Sequence, residues 1–413
     1  MKPRRLDAER LELGGGLEVL LQATLAGLRV GELVDVAVAS RAAALELPGW
    51  AQLNGHEVVD RRPRGRSGQI VRLRRGPGER VLAQVPVAER SAPPLRRDGE
   101  FHTADLRGPA DPPETMPREA GFVPVGATAE QGAPAFDWRL HERVAIWAPE
   151  VAHLGEQASA SQWDASRDVP WEAARGLPEH LERAVAQVMT FIAQNEYAAL
   201  YVPAGFLPQM HPSYVELVMW LSSHVYDEAR HVEVFTKRSL IGGYRGYALA
   251  STELSLHSLL AEHDFTAASL LLNVLGEGTF LDLLRFVHRH APDAATAAAA
   301  RLAHRDERRH VHFGISHVRH ALSDDPRQRA TLVRAAEQRA AKLTEMSLSP
   351  LLIEGLTIMA AGSLVPAALS EGADAVRALM RRMERNRIRR LRSAGFDANE
   401  ARYISDLHTP NLM

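Results

Sequence analysis

From about residue 176 onward, apolar positions recur at the spacing that lines one face of a helix. The pattern predicts helices over 178–201, 213–240, 258–290, 293–322, 326–346, about 350–369 and 372–394. Proline, glycine and aspartate mark the breaks, at Pro203 to Pro212, Gly242-Gly243, Pro292 and Asp324-Asp325-Pro326. Long helices joined in this way predict a bundle. The first 88 residues read differently. Arg5-Leu6-Asp7 opens a strand, and Leu17, Leu20, Leu21, Leu25 and Leu28 share a helical face. Leu33, Val34, Val36 and Val38 mark an alternating strand, residues 41–54 a second helix, and 57–61 and 69–73 two more strands. The predicted order is βαβαββ. Between these regions, residues 89–175 are rich in proline and glycine and predict a linker or wrapping loops. The expected organisation is therefore multidomain: an α/β domain over 1–88, the Pro/Gly-rich segment over 89–175, a mainly α four-helix bundle over 176–322, and C-terminal helices over 323–413. The apolar helices after 346 are expected either to pack on the bundle or to form a homodimer interface.

Composition narrows the chemistry. The 413 residues carry 49 basic and 51 acidic side chains, a net charge of −2, so neither nucleic acid nor an anionic membrane is an expected partner. There is no cysteine, which excludes disulfides, thiolate catalysis and iron–sulfur ligation. The basic start Met1-Lys2-Pro3-Arg4-Arg5 is followed by no apolar core, and a cytoplasmic location is expected. The best candidate for a membrane span, Gly355 to Leu369, is short and contains Pro366, so a buried helix is expected there.

Two segments share a pattern: Asp227-Glu228-Ala229-Arg230-His231 and Asp306-Glu307-Arg308-Arg309-His310. Each contains Glu-x-x-His, which puts a carboxylate and an imidazole on one helical face. One such tetrapeptide is ordinary on a solvated helix. The neighbouring helices add weight. Glu196 has Ile192, Ala193, Ala199 and Leu200 as face companions, and Glu277 has Asn273, Val274, Phe280 and Leu281. A carboxylate on such a face needs either an arginine or a metal. Across four successive helices the order is Glu, Glu-x-x-His, Glu, Glu-x-x-His, the ligand inventory of a dinuclear carboxylate bundle. Mixed oxygen and nitrogen donors suit iron or manganese.

On these residues, the stretch 176–322 resembles the ferritin-like di-iron carboxylate superfamily. The resemblance implies two iron ions, with a Mn/Fe pair left open, held by Glu196, Glu228, His231, Glu277, Glu307 and His310. It implies that Glu228 or Glu277 bridges the metals, that Asp306 orients His231 and that Asp227 orients His310. For either aspartate, pairing with a nearby arginine on the helix surface is the competing role. His224 and His304 are expected in the second layer around the ligands, with His224 alternatively a further ligand or a core histidine.

The superfamily uses O2, and three residues bear on how. Ribonucleotide reductase small subunits carry a radical tyrosine where this chain has Phe235, which argues against that role. Arylamine N-oxygenases carry an extra histidine where this chain has Ala303, with His304 one place on. Tyr197, Tyr201 and Tyr226 are expected to pack, and Trp163 and Trp171 to cover one end of the bundle. Gly276 and Gly278 beside Glu277 leave room either for a substrate or for close helix packing. The expected function is an O2-activating oxygenase or oxidase hydroxylating or N-oxygenating a small organic substrate, with electrons from a ferredoxin or a flavin reductase. A ferroxidase and a scaffold with a vestigial site are the alternatives.

Residues 4–75 resemble the sulfur-carrier family with a Cys-Pro-x-Pro motif, on the strength of Leu6-Asp7-Ala8-Glu9-Arg10-Leu11, the element order and Gly31-Glu32-Leu33. Leu13-Gly14-Gly15-Gly16 stands in place of the motif, so persulfide chemistry is impossible. The glycine run is expected to form a turn rather than an anion site.

Overall fold

A computed structural model describes residues 3–65, 68–77, 99–107, 112–115, 121–127, 140–343 and 349–407. Much of the Pro/Gly-rich segment lies outside these described residues. The chain divides into two compact units, Met1–Ala92 and Pro93–Met413.

The first unit has β1 (Arg4–Asp7), α1 (Leu17–Ala26), β2 (Leu33–Val38), α2 (Arg41–Leu53), β3 (Glu57–Arg64) and β4 (Gly68–Arg74), in the expected βαβαββ order. The sheet order is β1-β2-β4-β3, with β1 parallel to β2 and the other pairs antiparallel. Alternation in β2 drives Val34, Val36 and Val38 into a core with Leu17, Leu21 and Leu47. Asp35 takes the opposite face, where Arg72 (Nε–Oδ1 2.6 Å) and Arg62 (Nη2–Oδ2 3.1 Å) hold it. The glycine run forms the expected turn. The amides of Gly15 and Leu17 both return to the Glu12 carbonyl, and Gly16 adopts a left-handed φ of 107°.

The second unit is helical. Four of its long helices are α4 (Glu179–Phe206), α5 (Val215–Leu240), a helix over Phe265–Arg289, and α9 (Ala294–Asp324). Before them comes α3 (Val151–Ala160), inside the segment expected to be linker or loops. Val151, Leu154 and Ala158 fall on one face of α3 and are buried where it packs on α5, so this stretch is part of the bundle unit. A short α6 (Ala250–Leu260) follows α5. The helix expected from 258 starts instead at Phe265, because Asp264 caps it by accepting from the Ala267 amide at 2.8 Å. It runs as α7 (Phe265–Ser269), a π-helical stretch (Leu270–Glu277) and α8 (Gly278–Arg289). Such stretches are rare and recur at functional sites.

Around the ring, α4 packs on α5, α5 on α9, and the π stretch with α8 on α9. Arg238, fully buried on α5, ties three elements together, donating to Glu182 (2.6 Å), Asp293 (2.9 Å) and Thr296 (2.6 Å). After α9 come α10 (Gln328–Lys342), α11 (Pro350–Ala361), α12 (Pro366–Ser393) and α13 (Ala398–Leu407). The single helix expected over 350–369 is two, bent by 117°: Gly362 leaves α11 at a φ of 68° and Pro366 opens α12. Here α11 packs on α4, and α12 packs on α11 and α8. Among the described residues one helix, Phe265–Arg289, is long and apolar enough to cross a membrane by length and composition, and 94% of its most apolar window is buried within the protein.

Glycines set how closely these helices approach. A Cβ on Gly278 would meet the Arg390 side chain of α12 at 2.5 Å, so this glycine serves helix packing and not room for a substrate. A Cβ on Gly314 of α9 would lie 2.4 Å from the Asn273 Cβ in the π stretch. Gly314→Ala is therefore expected to cost about 1–3 kcal/mol by overpacking. A thermal melt followed by circular dichroism should show a drop of several degrees; an unchanged melt would mean the π stretch shifts freely.

Candidate metal centre

The Glu-x-x-His spacing on α5 and α9 does locally what helical geometry dictates, turning Glu228 and His231, and Glu307 and His310, inward. All four residues are fully buried, and Glu196 on α4 and Glu277 at the end of the π stretch are nearly so. The ligand atoms of Glu196, Glu228, His231 and Glu307 lie within 4.8 Å of one another, as do those of His224, Glu228, Glu277 and His310. The six residues singled out as metal ligands thus converge, and His224 joins them.

Glu228 and Glu307 stand between the two imidazoles. His231 Nδ1 is 3.2 Å from Glu228 and 3.5 Å from Glu307, and His310 Nδ1 is 2.7 Å and 3.4 Å from the same residues. The resemblance implied that Glu228 or Glu277 bridges. The structure puts Glu277 at one end, beside His224, because the two Glu-x-x-His helices face each other and their own glutamates fill the middle.

Several of these atoms are aimed at nothing in the protein. Glu196 Oε1, Glu228 Oε1, both Glu307 oxygens and His310 Nδ1 are buried without a hydrogen-bond partner. His310 Nδ1 and Glu228 Oε1 are close without hydrogen-bonding geometry, as two ligands of one ion are. Buried polar atoms are seldom left unmet, and a metal accounts for all of these together. The residues present therefore fit a dinuclear metal group.

The outer edges of the imidazoles are held crosswise. His231 Nε2 lies 3.4 Å from Asp306, and His310 Nε2 lies 3.4 Å from Asp227. The same aspartates are bridged by arginines: Arg309 Nη2 is 2.8 Å from each, and Arg230 contacts Asp227 and sits 2.9 Å from Asp306. Both roles weighed for the aspartates are present, but the arginine pairing is buried rather than on the surface. Trp163, expected only as a cover, donates its indole N–H to Asp306 at 2.6 Å. Nothing in the sequence pattern signals that contact. The arginines could have been noticed, since Asp-x-x-Arg repeats in both motifs. Arg309→Met would remove one of the two guanidiniums that Asp227 and Asp306 share. Breaking a buried pair of this kind costs about 3–5 kcal/mol, to be read from urea denaturation; a change below 1 kcal/mol would remove Arg309 from the network.

Electrostatics fit a site waiting for cations. Burial pushes the Glu196 carboxyl up to about 7, and the nearby His231 limits the rise. Burial also raises Glu228 and Glu307 well above the ordinary range, reinforced by their neighbouring carboxylates. Burial alone would lower His231, but its contacts with the Asp306 and Glu307 carboxylates bring it to about 10. His310 is lowered to about 4, by burial and then by His224. Asp227 and Asp306 are held far below the carboxylate range: burial works against this, and contact with His310 and His231 respectively outweighs it.

His304 is not part of this arrangement. It lies half-buried on α9 beside Arg308 and Arg285, away from the inward face. Tyr197, Tyr201 and Tyr226 are exposed rather than packed, while Phe235 is buried beside His231. On the His224 side, Val202, Phe206, Leu221, Phe265, Leu272 and Phe313 line a small apolar hollow that reaches Asn273. A larger pocket between the start of α4, the 244–247 loop and α11 includes none of the cluster residues.

No protein-family model matches the chain, and no curated protein sequence matches it. Similar solved structures include a point mutant of an R2-like ligand-binding oxidase with an aerobically reconstituted Mn/Fe cofactor, 16% identical, with a TM-score of 0.47 over 59% of this chain and 93% of that one. Another mutant of an R2-like ligand-binding oxidase, with an aerobically reconstituted Fe/Fe cofactor, gives the same identity, TM-score and coverage. The comparisons give no support to the sulfur-carrier resemblance of the first unit.

Proposed function

We propose that the bundle holds two iron ions, or one manganese and one iron, and is an O2-dependent oxidoreductase acting on a small organic substrate. The observation that carries this reading is the buried convergence of four carboxylates and two imidazoles, among which Glu196 Oε1, Glu228 Oε1, both Glu307 oxygens and His310 Nδ1 have no hydrogen-bond partner. Glu196 and His231 would serve one ion, Glu277 and His310 the other, with Glu228 and Glu307 between them. When bound, the metal pair would supply the redox equivalents for reduction of O2. The chain's own residues do the rest. Asp306 and Asp227 fix the ring orientation of His231 and His310, keeping each Nδ1 directed inward. Leu221, Phe265, Leu272 and Phe313 give the His224 side of the site an apolar wall. The proposed reaction is hydroxylation or N-oxygenation of that substrate, with electrons from a ferredoxin or a flavin reductase.

The test is anaerobic Fe(II) loading, removal of loose metal, and exposure to O2. The expected result is about two irons per chain and consumption of O2 without further iron uptake. Iron accumulating far beyond that ratio would point to a ferroxidase. No retained metal would leave a scaffold and end the oxidoreductase reading.

A further inference from the structure

We infer that His224 is a seventh protein ligand, so that the two metal positions are chemically unequal: one imidazole at the Glu196 position and two at the Glu277 position. The inference rests on the dinuclear reading and adds to it.

Five observations converge. His224, Glu228 and His231 follow one another on α5 at intervals of four and three residues, a single inward stripe. His224 Nε2 is 3.1 Å from Glu277 Oε1 and 3.6 Å from Glu228 Oε1, within the same 4.8 Å cluster as His310. Its ring stacks on that of His310, with centroids 3.8 Å apart and planes 22° apart, so the two imidazoles approach the same carboxylates side by side. Glu277 already has a donor of its own, Asn273 Nδ2 at 2.7 Å on its other oxygen, so His224 is not required to satisfy it. Leu221, Phe265, Leu272 and Phe313 line the adjacent hollow together with Ser269 and Asn273, and His224 is only 2% exposed.

A neutral nitrogen donor at the Glu277 position has two consequences. It fills a position that water would otherwise take on the side facing the apolar hollow, leaving exchangeable positions mainly at the Glu196 ion. It also sorts metals, since imidazole favours iron relative to manganese whereas carboxylate-rich sets favour manganese. With both metals supplied, iron takes the His224 position and manganese the Glu196 position.

The test uses the full chain loaded anaerobically with Fe(II), in wild type, His224→Gln and His224→Ala forms, with circular dichroism confirming the fold of each. X-ray absorption counts imidazoles per iron pair, and Mössbauer spectra resolve the two ferrous positions. The expected wild-type result is three imidazoles per pair and two distinct quadrupole doublets. In His224→Gln the count falls to two, one doublet alone shifts, and one iron is held at least about 10-fold more weakly. A wild type with two irons but only two imidazoles overturns the inference and leaves the dinuclear reading standing. Unchanged doublets in His224→Gln overturn it likewise, making His224 a hydrogen-bond partner of Glu277. A wild type that retains no iron overturns both. The wild-type count needs no variant, so a misfolded alanine form does not spare the inference.

Discussion

Replacing Glu228 with alanine is expected to take the chain from about two tightly held irons to fewer than one. Glu228 faces both imidazoles, at 3.2 Å from His231 and 2.7 Å from His310, so its loss damages both positions at once. Glu307→Ala should act in the same way for the same reason. His310→Ala and Glu196→Ala each strip one position and should leave about one iron, because their inward atoms serve one side of the cluster. The graded outcome matters more than the loss. Elemental analysis after anaerobic loading and gel filtration reads it directly. Full metal retention in both Glu228→Ala and His310→Ala would sink the metal centre. The metal-free variants should fold, since removing a buried carboxylate with a raised pKa relieves crowding among like charges.

The second large effect is on stability. The metal-free protein should become less stable as the pH rises from 7 to 9, and the metal-loaded protein should not. His231 is held protonated up to about 10 in the folded state, against 6.5 ordinarily. Its contribution is complete below 6.5 and is lost as the pH climbs toward 10, at about 1.4 kcal/mol per pH unit. Glu228 and Glu307, also raised, act in the same direction, and Glu196 has finished by about 7. The groups with lowered values work oppositely but at lower pH. His310, at about 4, and the two aspartates contribute stability that is lost only as the solution becomes acidic. Above pH 7 their effect is constant. Metal binding displaces the proton from His231 and from the raised glutamates, so it releases protons and strengthens as the pH rises. Each position filled at a thousandfold excess over its dissociation constant adds about 4 kcal/mol. Thermal melts with and without metal across this range check both limbs. A metal-free melt that is flat or rising between pH 7 and 9 would place His231 neutral and its partner Asp306 in another role.

The ligand types were legible because helical geometry is local. Once the periodicity placed Glu228 and His231 on one turn of one helix, no other part of the protein was needed to put them on one face. The same holds for Glu307 and His310, and for Glu196 and Glu277 on their apolar stripes. The βαβαββ order of the first unit followed from alternation and helical spacing in the same manner. What stayed hidden involves two or more elements. His224 sits one helical turn before Glu228, which places it on the right face, yet only the approach of Glu277 and His310 makes it part of the cluster. Trp163 reaches Asp306 from a loop far away in the chain. Crosswise holding of each imidazole by the other motif's aspartate was expected from the resemblance and not from the helix pattern, because it depends on how α5 and α9 face each other, and His304 falls away because that face excludes it. The π stretch that carries Glu277 was read as ordinary helix, since apolar residues such as Leu270, Leu271 and Leu272 satisfy either hydrogen-bonding pattern. The amino-acid sequence by itself determined which groups are available and which way each helix turns them. The tertiary structure alone decided which of them meet, because distances between helices come from packing, from glycines such as Gly314 and from buried ion pairs, none of which has a period along the chain.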